Sequence, residues 1–156
     1  MHSEMTVGST RTPPRARDQP LRIAALAIGA VFLTFGICGF IPRITDIEQL
    51  ELAGRQSDAL MFGVFNVSVL HNVVHLVFGI VGLAMSRRVR RSRMFLFGGG
   101  LVSALLGLYG LLIHEGDPVN VIPVNAADNW LHIALAALMI ALGVLLTRDD
   151  IAARRQ

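Results

Sequence analysis

His71-Asn72-Val73-Val74-His75-Leu76 and Asp128-Asn129-Trp130-Leu131-His132-Ile133 are one polar step written twice. In each, an asparagine stands three residues before a histidine and an ionisable group stands four before it. Both steps run into apolar stretches long enough to enter a bilayer. A polar group in hydrocarbon costs several kcal/mol unless it is partnered, so the repeated spacing points to a shared interior feature. Positions four apart share one helix face. His71 and His75 therefore point the same way, as do Asp128 and His132, while Asn72 and Asn129 lie about 100° round and can bond to an adjacent helix.

Working outward, four apolar stretches cover residues 21–40, about 60–85, 94–113 and about 126–147. Each reaches the roughly 20 residues that a helix needs to cross a core about 30 Å thick. The chain of 156 residues is 53% hydrophobic and 16% charged, with a mean hydropathy of +0.58. This reads as an all-α integral membrane protein, a four-helix bundle, rather than a soluble domain. A shift of 57 residues carries Asn72 onto Asn129 and His75 onto His132, which suggests two repeated helical hairpins with the second and fourth helices parallel.

The bases are all arginine, and their placement sets the orientation. Arg11, Arg15, Arg17 and Arg22 precede the first span, Arg87, Arg88, Arg90, Arg91 and Arg93 lie between the second and third, and Arg148, Arg154 and Arg155 follow the fourth. The other two loops carry only Arg43 and Arg55, against seven acidic residues including Asp46, Glu115 and Asp128. Both termini are expected in the cytoplasm and the chain in the cell membrane, multi-pass. Residues 1–20 are too polar to fold and read as a disordered cytoplasmic tail; 148–156 read as a short charged cytoplasmic tail. Without a basic-aromatic surface on a soluble domain, nucleic acid is excluded as a partner.

Local signals fill in the spans. Pro42 stops the first helix, and Gly29, Gly36 and Gly39 suit close helix contact. Thr45-Asp46-Ile47-Glu48 has the pattern of a capping box for a short interfacial helix, and Ser57 or Asp58 is a cap for the second span. Gly99, Ser103 and Gly107 recur every four residues and give the third helix a smooth face. Asn125 can cap the fourth helix, with Asp128 in its first turn. Tyr109 and Trp130 sit where interfacial aromatics belong, His114 and Glu115 read as solvated at the same interface, and Cys38 reads as a packing residue.

Phe35-Gly36-Ile37-Cys38-Gly39-Phe40-Ile41-Pro42, the run Phe65–Leu76 and Asn125-Ala126-Ala127-Asp128-Asn129-Trp130-Leu131-His132 resemble a small four-span membrane family, found mostly in actinobacteria and catalogued as a domain of unknown function. The resemblance covers roughly residues 20–147 and implies an architecture without an activity.

For function, the polar step admits several readings. A buried His/Asn/Asp network can fix helix registry and organise the bundle, or a larger envelope complex or homo-oligomer, without enzymatic activity. His71, His75, Asp128 and His132 are candidate ligands for zinc or another borderline ion. His75 and His132 are candidate axial ligands for a non-covalent haem in a redox component. A His-Asp relay could also carry protons in an ion-conducting accessory protein, although Val77–Met85 and Ile133–Leu146 hold no ionisable group to complete a path. Hydrolytic catalysis has no support, since Ser68 and Ser103 lack an oxyanion geometry and HExxH is absent.

Overall fold

The computed structural model describes residues 19–53, 57–113 and 121–154, with side chains as far as residue 147. The chain runs through α1 (Gln19–Cys38), a short 3-10 turn (Ile47–Gln49), β1 (Leu60–Met61), β2 (Phe65–Asn66), α2 (Val69–Met85), α3 (Val89–Leu112) and α4 (Ala126–Arg154). It is an all-α bundle with one small two-stranded hairpin. Of the segments expected as tails, 1–18 and 155–156 lie outside the described residues, as do His114 and Glu115, whereas residues 148–154 continue α4 beyond the expected end at 147.

Among the described residues, three helices, Gln19–Cys38, Val89–Leu112 and Ala126–Thr147, are long and apolar enough to cross a membrane, and α2 is a shorter apolar helix. Large apolar side chains are exposed on all of them, among them Ile23, Val77, Leu101 and Leu145. A coat of this extent on every helix suits contact with lipid. Leu142, by contrast, packs against the core of Phe32, Phe95, Leu96 and Met139.

The expected starts of the second and third helices also move. The second span does not begin near residue 60. Residues 60–66 form an antiparallel hairpin, Leu60 opposite Asn66 and Met61 opposite Phe65, turned by Phe62 and Gly63 with φ of 54° and 68°. Its apolar side chains fill a cap rather than a span: Ala59, Met61 and Val67 are buried with Phe35, Cys38, Ile44 and Leu50 around them. Ser57, expected as the helix cap, is buried in this layer and donates to the Val67 carbonyl at 2.6 Å. Ser68 caps α2 instead, its Oγ accepting from the His71 N–H at 3.1 Å. The 17 residues of α2 reach only about 25 Å. The third helix starts at Val89 rather than Met94, because arginine is a good helix former and nothing breaks the backbone there. The pattern Thr45–Glu48 gives a 3-10 turn only, and the Asp46 side chain makes no cap bond.

The helices pair as two hairpins, α1 with α2 and α3 with α4, and glycines set how closely each pair approaches. A Cβ on Gly36 would meet the backbone N of Leu76 at 2.7 Å, and one on Gly107 would meet Ile133 Cγ1 at 2.7 Å. Gly29 lies in the same way on Gly82 and Leu83, and Gly100 on Ala136 and Ile140. Gly39 leaves room for the Asn72 side chain, and Gly110 for that of Asn129. Gly29, Gly36 and Gly39 thus correspond to Gly100, Gly107 and Gly110 at a shift of 71, while their partners correspond at 57. The shifts differ because the first hairpin carries the longer connection, with the cap inside it. The two hairpins are structural repeats.

Candidate metal centre

α2 and α4 face each other across the bundle and meet through side chains. Ser68 starts α2 so that His71 and His75, one turn apart, point inward; Asn125 starts α4 so that His132 does too. The cap on α4 is reciprocal. Asn125 Oδ1 accepts from the Asp128 N–H at 3.0 Å, and Asp128 Oδ2 accepts from the Asn125 N–H at 2.9 Å.

The three imidazoles converge. His71, His75 and His132 are 5%, 9% and 3% exposed. Each offers a ring nitrogen, and these three atoms lie within 4.8 Å of one another. Ring centroids are 4.5 Å apart for His71 and His75, 5.8 Å for His71 and His132, and 6.3 Å for His75 and His132. Phe32 at 5.5 Å and Phe35 at 6.4 Å wall the His75 ring from the α1 side. Phe32 carries a signal in its spacing alone: it lies four residues before Gly36, on the face that Gly29, Gly36 and Gly39 turn to α2.

Asn72 donates through Nδ2 to the Gly39 carbonyl at 2.8 Å, tying α2 to the end of α1. His132 Nδ1 lies 2.9 Å from the Asp128 carbonyl, four residues back on its own helix. A carbonyl can only accept, so Nδ1 carries the proton and Nε2 keeps a free lone pair. Both ring nitrogens of His71 and Nδ1 of His75 are buried without a partner in hydrogen-bond geometry among the described residues, as are the Oδ1 atoms of Asn72 and Asn129; the Asn66 and Pro123 carbonyls lie near the His71 ring. Buried polar groups are nearly always partnered, and orphans of this kind call for a ligand.

Asp128, a candidate fourth ligand from sequence, is not brought into this cluster. Its Oδ2 accepts from the Asn66 N–H at 3.0 Å as well as from Asn125, so it clasps β2 to the start of α4. Asn125 Nδ2 adds a bond to the Val64 carbonyl at 2.7 Å. A haem between His75 and His132 also meets an obstacle. The plane its macrocycle needs, between the two rings, is where the His71 ring stands.

A cavity of about 260 Å³ opens beside the cluster, walled by Phe32, Leu70, Val74, Phe78, Val102, Ser103, Leu106 and Ile122 with the three histidines. Apart from the imidazoles and the Ser103 hydroxyl, its side chains are apolar.

Apolar helices paired as repeated hairpins around buried histidines define a small membrane bundle protein. The chain belongs to the family described as Domain of unknown function (DUF4383), whose model matches residues 22–145. No curated protein and no solved structure matches the chain.

Proposed function

We propose that this protein binds a single transition-metal ion inside the membrane, held by His71, His75 and His132. The observation that carries this is the trio of buried ring nitrogens within 4.8 Å, three nitrogens of His71 and His75 having no partner in hydrogen-bond geometry among the described residues. In a tetrahedral site with bonds of about 2.1 Å, ligand nitrogens stand about 3.4 Å apart, so modest ring rotations would close the set. The bond from His132 Nδ1 to a carbonyl is the kind of outer contact that fixes a ligating tautomer. Three neutral imidazoles suit zinc, copper, nickel, cobalt or iron, and leave a coordination position free. The polar step then divides its labour. Asn72 and Asn129 organise the hairpins against Gly39 and Gly110, and the histidines are left for the ion. The arginine distribution supports both termini on the cytoplasmic side of the cell membrane, with the centre toward the outer half of the bilayer.

Metal analysis and a visible spectrum of the purified full chain test the reading. One ion per chain is expected, reduced at least tenfold by His75→Ala or His132→Ala and unaffected by Asn72→Ala. A chain free of metal after purification, and unable to take up Zn²⁺ or Co²⁺ at micromolar concentration, overturns it. A Soret band would replace it with the haem alternative.

A further inference from the structure

The repeat makes the cavity legible as an asymmetry. At the shift of 71 that matches the two sets of glycines, Phe32 of α1 corresponds to Ser103 of α3. Phe32 fills its side of the bundle and packs on His75 at 5.5 Å. Ser103 is buried in the corresponding place but is far smaller, and the cavity lies against it. The second asymmetry is in the step itself, where His71 in one repeat answers to Asp128 in the other. The first hairpin therefore supplies two imidazoles, the second supplies one, and the second leaves the space beside them.

Three properties of that space define what fits it. Its mouth lies between α2 and α3, where Leu70, Val74 and Val102 are also exposed on the apolar outer surface, at 40%, 39% and 38%. The way in is thus from the side, through the surface that suits lipid. Its walls are apolar, so the body of the occupant is too. Its polar lining includes His71, which is 5% exposed and whose ring nitrogens have no partner in hydrogen-bond geometry among the described residues. A divalent ion held there by three neutral imidazoles would bring a net double positive charge into a low-dielectric site, and such charge needs an anion. Asp128, the acidic residue one turn before His132, has its carboxylate turned to the Asn66 and Asn125 N–H groups.

Resting on the metal reading above, we infer that the cavity receives the acidic head of a lipid-dissolved amphiphile, a carboxylate on an apolar chain. It enters sideways between α2 and α3 and supplies the fourth ligand as its anion. The volume of about 260 Å³ accommodates the head and the first part of the chain, and the remainder extends through the mouth into the bilayer.

The test uses the full chain loaded with Co²⁺, whose visible bands report a change of ligand, titrated separately with decanoate, acetate and decanol. Decanoate is expected to shift the bands with half-saturation at least tenfold below acetate, and decanol to leave them unchanged. Ser103→Phe, which copies the first repeat, and Val74→Phe at the mouth are expected to keep Co²⁺ stoichiometry and weaken decanoate at least tenfold, with acetate little affected. Decanoate acting no more strongly than acetate overturns the inference while leaving the metal site intact. So does decanol acting as well as decanoate, or both variants responding like the parent. Failure of the parent to bind Co²⁺ removes the metal reading and this inference with it. Should neither variant retain Co²⁺, the comparison of the three compounds on the parent decides.

Discussion

His71, His75 and His132 differ from Asp128 in what surrounds them, although all four sit in the same repeated step. Asp128 is satisfied: two backbone N–H groups, from Asn66 and Asn125, point at its Oδ2. Bonds from N–H groups to a charged acceptor contribute about 1.5–3 kcal/mol. Asp128→Ala should therefore lower stability by roughly 2 kcal/mol in a denaturation titration and leave metal stoichiometry unchanged. The opposite result, metal lost with stability intact, would return Asp128 to the coordination sphere. The difference explains what was legible at this scale. The i, i+4 spacing put His71 and His75 on one face, and the matched step on α4 put His132 opposite them. The direction of the Asp128 carboxylate was not legible, because it depends on the Asn66 backbone, brought there by a hairpin 62 residues away. Ser103 was read as part of a smooth face and set aside as a nucleophile. Its partner in the other repeat, Phe32, appears at a shift of 71, whereas the polar step repeats at 57.

At the scale of elements, small residues decide which helices can touch. Lipid tails are as apolar as leucine, so helix association in a membrane relies on close packing more than on the hydrophobic effect. Gly36 and Gly98 make the contrast measurable. A Cβ at Gly36 would press on the Leu76 backbone at 2.7 Å, whereas one at Gly98 has nothing within 4 Å. Gly36→Ala is expected to destabilise the protein by roughly 1–3 kcal/mol, as overpacking does. Gly98→Ala should be neutral or stabilising by up to about 1 kcal/mol through helix propensity. Equal thermal midpoints for the two variants would contradict the packing described. The glycine spacing made α1 and α3 readable as close-contact helices from sequence. The cap was not readable, because Leu60–Val67 is as apolar as a span and its turn needs φ above zero at Phe62 as well as at Gly63. Hydropathy reports burial, and burial in a cap beside a helix end looks the same as burial in lipid. Gly63→Ala, strained at φ of 68°, should cost about 1 kcal/mol without touching the histidines.

Across the whole molecule, charge and the cap sort to opposite ends of the bundle. The arginines of residues 87–93 gather at the turn between α2 and α3, where Arg22 Nε also donates to the Ser86 carbonyl at 3.1 Å. The cap, with Glu48, Glu51 and Asp46, lies at the other end, against the start of α4. A helix pair inserted so that its arginine-rich turn stays in the cytoplasm obeys the bias that orients membrane proteins. The histidines, in the first two turns of α2 and α4, then lie on the outer side of the midplane. Cysteine labelling in intact cells tests this arrangement. With Cys38 replaced by alanine, Leu52→Cys, whose position is 73% exposed, is expected to react with a membrane-impermeant maleimide. Arg87→Cys is expected to react only after the cells are opened. The reverse pattern would invert the bundle and place the three histidines in the cytoplasmic half. Labelling of both from outside would mean that α2, with its 17 residues, does not cross the bilayer in the pairing described.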